Sequence, residues 1–222
     1  MSDVRLVLVR HGVTDWNRQG RFQGHRDPRL GDAGRHEARL AAERMAADPT
    51  LRPARVISSS LARALETARA IAQSAGVEVE PEPRLIEIGQ GEWEGRTHAE
   101  LEVEDADRYA AWRAATGIRQ PPGGEPIEDA TQRVNSLLGE IERSSAWPVC
   151  LVSHGGTLRI LAHVLLELGG GRSRALDVDN AGISVATRTD DSWRLDRWND
   201  TLHLLGLEPT HVDEAEGRPL AL

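Results

Sequence analysis

Leu6-Val7-Leu8-Val9-Arg10-His11-Gly12-Val13-Thr14-Asp15-Trp16-Asn17 is the stretch that decides the fold. A short valine-rich apolar run stops at an arginine, a histidine and a glycine, then continues in small polar residues. A run apolar at consecutive positions is a strand buried on both faces, and such strands belong to largely parallel sheets covered by helices on each side. Ligands of these sheets gather beyond the carboxyl ends of the strands. Arg10 and His11 are therefore delivered to a crevice, and Gly12 is expected to let the backbone approach whatever binds there. A guanidinium beside an imidazole suits an anion that is both held and attacked, and phosphate is the candidate.

Working outward, helices and strands alternate. Ala38, Ala41 and Met45 predict a helix over 34–47, and Val56-Ile57-Ser58 a second strand. Ser58-Ser59-Ser60 offers N-caps for a helix with Leu61, Leu65, Ala68 and Ile71 on one face, ended by Gly76. A small strand is expected at Val77 to Val79. Leu85-Ile86-Glu87-Ile88-Gly89-Gln90-Gly91 is too glycine-rich for a regular element. Asp105 to Ala115 reads as a mostly solvated helix. After the break at Pro121-Pro122-Gly123-Gly124-Glu125-Pro126, Ile127, Ala130, Val134, Leu137, Leu138 and Ile141 form one helical stripe. Val149 to Val152 is a second fully buried strand, running into Ser153-His154-Gly155-Gly156. Leu158 to Leu168 reads as a buried helix, and Ile183 to Thr187 with Trp193 to Trp198 as a β-pair.

The expected fold is a single three-layer α/β/α domain with a mostly parallel sheet and a small cap. The domain is expected over residues 1–206, the cap at about 92–126, and a poorly ordered acidic tail at 207–222. The 222 residues suffice for a substantial core. No apolar run approaches the ~20 residues that cross a bilayer, and no apolar signal segment precedes the first strand. Cys150, the one cysteine, lies in an apolar run and reads as a buried thiol, which points to a reducing cytoplasm. All 27 basic residues are arginine. The absence of lysine excludes the P-loop lysine, the kinase ATP lysine and Schiff-base chemistry. A net charge of −8 argues against a nucleic-acid surface, so any anionic ligand needs a local arginine cluster.

Such a cluster can be assembled. His154-Gly155-Gly156 repeats the strand-histidine-glycine pattern of His11-Gly12, and its glycines lead into a helix whose first amides form an anion site. Arg63 lies in the first turn of another helix, and its planar fork can grip two phosphate oxygens. A phosphoryl group in transfer needs charge on its oxygens, an in-line nucleophile and a proton for the leaving oxygen. Arg10, Arg63 and His154 can supply the first, His11 the second and Glu87 the third. Gln23, Gly24 and His25 are candidates to border the substrate, or form a plain surface loop.

Arg10-His11-Gly12-Val13-Thr14-Asp15-Trp16-Asn17, Ser59-Ser60-Leu61-Ala62-Arg63-Ala64-Leu65-Glu66-Thr67-Ala68, Leu85-Ile86-Glu87 through Gly91-Glu92-Trp93-Glu94-Gly95, and Ser153-His154-Gly155-Gly156 together resemble the histidine phosphatase superfamily, branch 1, the phosphoglycerate mutase-like family. The motifs occur in the family's order and span about residues 5 to 200. The resemblance implies that His11 becomes phosphorylated, with Arg10, Arg63 and His154 as the phosphate pocket. Asn17 and the Gly155 amide add hydrogen bonds to the phosphoryl oxygens. Glu87 protonates the leaving group, then activates water. No metal or organic cofactor is implied, the partner is a small-molecule phosphate ester, and homodimers are common in the family.

Mutases of the family share the motifs but carry a longer insertion between the acid and the second histidine, an aromatic residue where this chain has Gln90, and a smaller residue where it has Gln23. The compact segment here favours a phosphatase, which must admit water to phosphohistidine. Arg113 and Arg119 are isolated candidates for the mutases' arginine pair. Two other readings stay open on sequence: a phosphoglycerate mutase-type isomerase, and a catalytically inactive phosphate-ester-binding module. Gly31 stands where relatives have a capping Thr or Ser, which an N-cap tolerates. His36, His98, His163, His203 and His211 read as surface or core histidines, and Trp93, Trp112, Trp147, Trp193 and Trp198 as packing residues, with Trp112, in the cap, a candidate to touch substrate.

Overall fold

The opening run is strand β1, Val4–Arg10, buried from Leu6 onward in the computed structural model. The structure describes residues 4–114, 120–143, 146–168, 176–189 and 192–207. With β2 at Arg55–Ser58, β3 at Val79–Pro81, β4 at Val149–Ser153, β5 at Ile183–Thr189 and β6 at Ser192–Asp200, the strands form one six-stranded sheet of order β3-β2-β4-β1-β5-β6. The pairs from β3 to β1 are parallel, and β5 and β6 add an antiparallel edge. This is the mostly parallel sheet expected.

Side chains of one strand alternate between the two faces, and each face has its own helices. Leu6, Leu8, Val149 and Leu151 pack against α6, Ile127–Ile141, and α7, Gly155–Leu165. Val7, Val9, Cys150 and Val152 pack against α2, Asp32–Ala47, and α3, Ala62–Ala75. Burying each such side chain stabilises the fold by roughly 1.5–3 kcal/mol. The stripe expected on α6 is the one buried, from Ala130 to Ile141, with Ile127 at its edge. Register then places the chemistry. Arg10 pairs with Ser153 in a parallel ladder, so the next residues, His11 and His154, leave adjacent strands at the same height.

Several local expectations are corrected. The serines do not cap α3: Leu61 is its N-cap without a side-chain bond, and the Ala62 amide donates instead to Asp27 Oδ1 at 2.7 Å. Its inward face is Arg63, Ala64, Thr67, Ala68, Ile71 and Ala72, while Leu61 and Leu65 are only half-buried. The helix was read from apolar residues alone, and its most buried face contains an arginine and a threonine. β3 begins at Val79, and α7 begins three residues earlier than expected and ends at Leu165. The mostly solvated helix expected over 105–115 is α5, Ala106–Ala114, and a short helix without an expectation, α4 at His98–Glu104, precedes it. Tyr109 and Trp112 of α5 turn inward and close on Phe22, Trp93 and Leu101. Trp112 is an edge-on neighbour of Phe22 and Trp93 and stacks on Tyr109, a packing role. Arg113 faces Glu102 at 3.5 Å. Arg119, His211 and the tail from 208 lie outside the described residues. No helix among the described residues is long and apolar enough to cross a membrane.

Candidate active site

His11 and His154 face each other with ring centroids 5.1 Å apart and planes at 58°. His11 is buried, and its Nδ1 lies 2.7 Å from the Gly12 carbonyl oxygen. A carbonyl only accepts, so Nδ1 carries the hydrogen and Nε2 of the neutral ring keeps its lone pair. Burial holds the His11 pKa well below its ordinary value, and the Arg63 and Arg10 charges push it further down. An unprotonated, nucleophilic imidazole is the result. Gly12 has a packing role as well. A Cβ there would meet the Gly34 carbonyl oxygen at 2.3 Å, and one on Gly34 would meet the Val13 oxygen at 2.0 Å. Only two glycines let the turn after β1 lie on the start of α2.

Arg10 and Arg63 are both buried beside the histidines. Arg10 Nη1 donates to the Val178 carbonyl at 2.5 Å, while its buried Nε has no protein partner among the described residues. That Nε–H is a donor free for an anion. Desolvation lowers the Arg10 pKa to about 10, helped by repulsion from Arg159 and opposed by Glu87. Arg63 is likewise lowered to about 10 by desolvation, against the pull of Glu87. Both remain cations at neutral pH. Arg63 does not pair with Glu66, which faces Arg29 and Arg35 instead. Its Nε donates to His154 Nδ1 at 3.1 Å, Nη1 to the Arg26 carbonyl at 2.8 Å and Nη2 to the Gly24 carbonyl at 3.0 Å.

The anion site expected at the start of α7 is largely taken. Glu87 Oε2 accepts from the Gly156 amide at 3.2 Å, and Oε1 from the amides of Thr157 at 3.1 Å and Ile88 at 2.8 Å. A carboxylate here answers the exposed amides of the helix start. Gly155 contributes the first amide of α7, which Glu87 does not use. Glu87 is thereby buried and oriented within the cluster, with Oε2 the less encumbered oxygen.

Asn17 is fixed by a capping box in the short helix α1, Asp15–Arg18: its Oδ1 accepts from the Thr14 amide at 3.0 Å and faces the Thr14 hydroxyl at 2.9 Å. The amide Nδ2 is the end it can offer to an oxyanion. Gln23 is buried with Oε1 3.2 Å from the same hydroxyl. Gly24, at φ +50°, abuts the next loop, where a Cβ would lie 2.2 Å from Glu94 Oε1 and 2.7 Å from the Gln90 amide. His25 Nε2 donates to the Glu87 carbonyl at 3.0 Å. Gln23 and Gly24 are therefore buried against the site, while His25 is exposed.

Sequence reasoning missed the residues that hold this set. Asn180 is buried, donates to the His11 carbonyl at 2.9 Å and reaches Asn17 Oδ1 at 3.5 Å. Glu37 Oε2 accepts from the Val13 amide at 2.7 Å, and Thr67 Oγ1 from the Gly12 amide at 3.0 Å. Arg133 grips Glu125 through two bonds, at 2.8 and 3.0 Å, and donates to the Arg84 carbonyl at 2.6 Å, clamping the loop that carries Glu87. Arg159, buried on α7, adds a third cation. Of these only Thr67 lies in a quoted motif, and the partners of Asn180, Glu37 and Thr67, like the Arg84 carbonyl that Arg133 reaches, are 24 or more positions distant. Among the described residues no three His, Cys, Asp or Glu side chains are arranged to hold a metal ion.

The family description that matches, over residues 6–201, is the histidine phosphatase superfamily, branch 1. The chain belongs to that superfamily. This histidine phosphatase is 37% identical to the glucosyl-3-phosphoglycerate phosphatase of Mycolicibacterium vanbaalenii, over 88% of this chain and 94% of the relative. It is 32% identical to phosphoserine phosphatase 1 of Hydrogenobacter thermophilus, over 90% and 94% of the two chains. A solved mycobacterial glucosyl-3-phosphoglycerate phosphatase in complex with VO3 superimposes with a TM-score of 0.81 at 34% identity, covering 89% of this chain and all of that one. The chain is accordingly a phosphoric monoester hydrolase.

Proposed function

We propose that this histidine phosphatase hydrolyses a small phosphate monoester without a metal ion, through phosphohistidine at His11 Nε2. The observation that carries the reading is the hydrogen bond from His11 Nδ1 to the Gly12 carbonyl, which leaves Nε2 unprotonated on a ring that neighbours His154, Arg63 and Arg10. In the first step Nε2 attacks phosphorus and the bond to the substrate oxygen breaks, with Glu87 giving that oxygen its proton. In the second, water attacks the phosphohistidine, Glu87 takes the water's proton, the P–N bond breaks and inorganic phosphate leaves. Arg10 and Arg63 balance the charge of the phosphoryl oxygens, His154 forms the neutral wall of the pocket that faces His11, and Asn17 Nδ2 and the Gly155 amide add hydrogen bonds. Two guanidinium groups do here what a divalent ion does elsewhere.

Gln23 and Gly24 border the group that leaves. For its identity we propose a phosphoglycerate or sugar phosphate ester, with glucosyl-3-phosphoglycerate first. The support is the likeness to phosphatases of that name. The partner is then a small anion and not a nucleic acid, in keeping with the net charge of −8. We place the enzyme in the cytoplasm on its single buried thiol, and as a homodimer by family likeness. Ranking kcat/KM for glucosyl-3-phosphoglycerate, 3-phosphoglycerate, phosphoserine and hexose phosphates tests the substrate, with released phosphate assayed beside positional isomers. Glucosyl-3-phosphoglycerate leading, with phosphate released and activity unchanged by chelator, is expected. Isomer without phosphate overturns the hydrolase reading.

A further inference from the structure

Ser59 follows the last residue of β2 and is fully buried. Its amide donates to the Val152 carbonyl at 2.9 Å, which pins it beside the strand that delivers His154. Its hydroxyl oxygen lies 2.8 Å from His154 Nε2. The other ring nitrogen, Nδ1, faces Arg63 Nε at 3.1 Å. An arginine Nε always carries hydrogen, so Nδ1 accepts. A neutral His154 must then carry its hydrogen on Nε2 and donate it to Ser59 Oγ. The Leu61 amide, 3.3 Å away, is a second donor to the same oxygen.

We infer that Ser59 is the positioning residue of this site: it accepts the Nε2 hydrogen of His154 and so fixes both the tautomer and the ring plane that faces His11. The inference deepens the phosphohistidine reading and rests on it for its effect on rate. Arg63 alone does not fix the ring. It satisfies Nδ1 but leaves a buried N–H seeking an acceptor, and a neutral ring relieved of Ser59 rotates about its Cβ–Cγ bond away from Arg63 Nε and is then free to exchange tautomers. The triple serine thus has a different use from helix capping. Its middle member serves a histidine 95 residues away.

The test is Ser59→Ala in the full chain, with 15N-labelled histidine and long-range 1H–15N correlation to read the His154 tautomer. The wild type is expected to show one pyridine-type Nδ1 and one pyrrole-type Nε2. In the variant the two shifts converge, the single-turnover rate of His11 phosphorylation falls about a hundredfold, and substrate binding measured by competition with orthovanadate changes less than threefold. Ser59→Cys, nearly the same size but a poor acceptor, carries the same expectation if the alanine variant does not fold. A folded variant with the wild-type tautomer overturns the inference, whatever its rate. The tautomer is read without turnover, so a wild type that forms no phosphohistidine defeats the mechanism while Ser59's hold on His154 is still judged.

Discussion

Gly156 and Glu87 are fitted to each other: the Gly156 amide donates to Glu87 Oε2 at 3.2 Å, and a β-carbon on Gly156 would stand 2.7 Å from Oε1. The acid is seated on a helix start that has no side chain at that position. His154 and Glu87 are therefore coupled through three residues of backbone, since the glycine that receives the acid is two positions past the histidine.

Gly156→Ala should displace the Glu87 carboxylate, because Ile88 Cδ1, 2.8 Å from the same point, closes the other way out. Phosphate release should fall about a hundredfold as the proton donor loses its place. Steady-state assay of the purified variant checks this, and an unchanged kcat would show that the seat of Glu87 is immaterial.

Arg63→Lys keeps the charge and loses the fork. Lysine cannot at once donate to His154 Nδ1, the Gly24 carbonyl and the Arg26 carbonyl, as Arg63 does. A fall in kcat of about a hundredfold or more is expected. Amide exchange over 23–27 should quicken with it, which hydrogen-exchange mass spectrometry reads directly.

Stability should fall on mild acidification. His11 and His154 titrate well below 6.5 in the folded chain, chiefly through burial and then the Arg63 charge. His98, half-buried against the cap aromatics, is lowered to about 4. A depressed histidine pKa means that the unfolded chain takes up protons first, so stability is whole above the unfolded pKa of about 6.5 and is lost as pH falls through it towards 4. Thermal midpoints measured from pH 7.5 to 5 should drop steadily. His98→Phe, which puts an aromatic ring among Phe22, Tyr109 and Trp112, should make the fall shallower. A midpoint flat across that range would contradict the burial of neutral histidines.

The parts legible in sequence were those whose signal is local. The apolar runs of β1 and β4 end where the strands end, and each hands a histidine to the same crevice because the ladder pairs Arg10 with Ser153. The α6 stripe was legible for the same reason. What escaped was long-range pairing of polar residues. Thr67 and Glu37 look like ordinary helix residues until they are seen accepting the Gly12 and Val13 amides. Asn180 sits in a polar run before β5 and acquires meaning only by reaching back 169 positions to His11. The α3 face was misjudged because an inward arginine breaks the apolar pattern that identifies a core face. α5 is mostly solvated, as its sequence predicts, but Tyr109 and Trp112 turn inward to Phe22 and Trp93, partners outside their own helix that no local pattern announces.

The central claim is that His11 Nε2 receives the phosphoryl group. Rapid-quench labelling with a 32P-phosphate ester, worked up in alkali because phosphohistidine is acid-labile, tests it most directly. Label should appear on the peptide carrying His11, build up and decay at rates compatible with kcat, and be absent from His11→Ala. Full turnover with no label on that peptide, or label persisting in His11→Ala, would contradict the account.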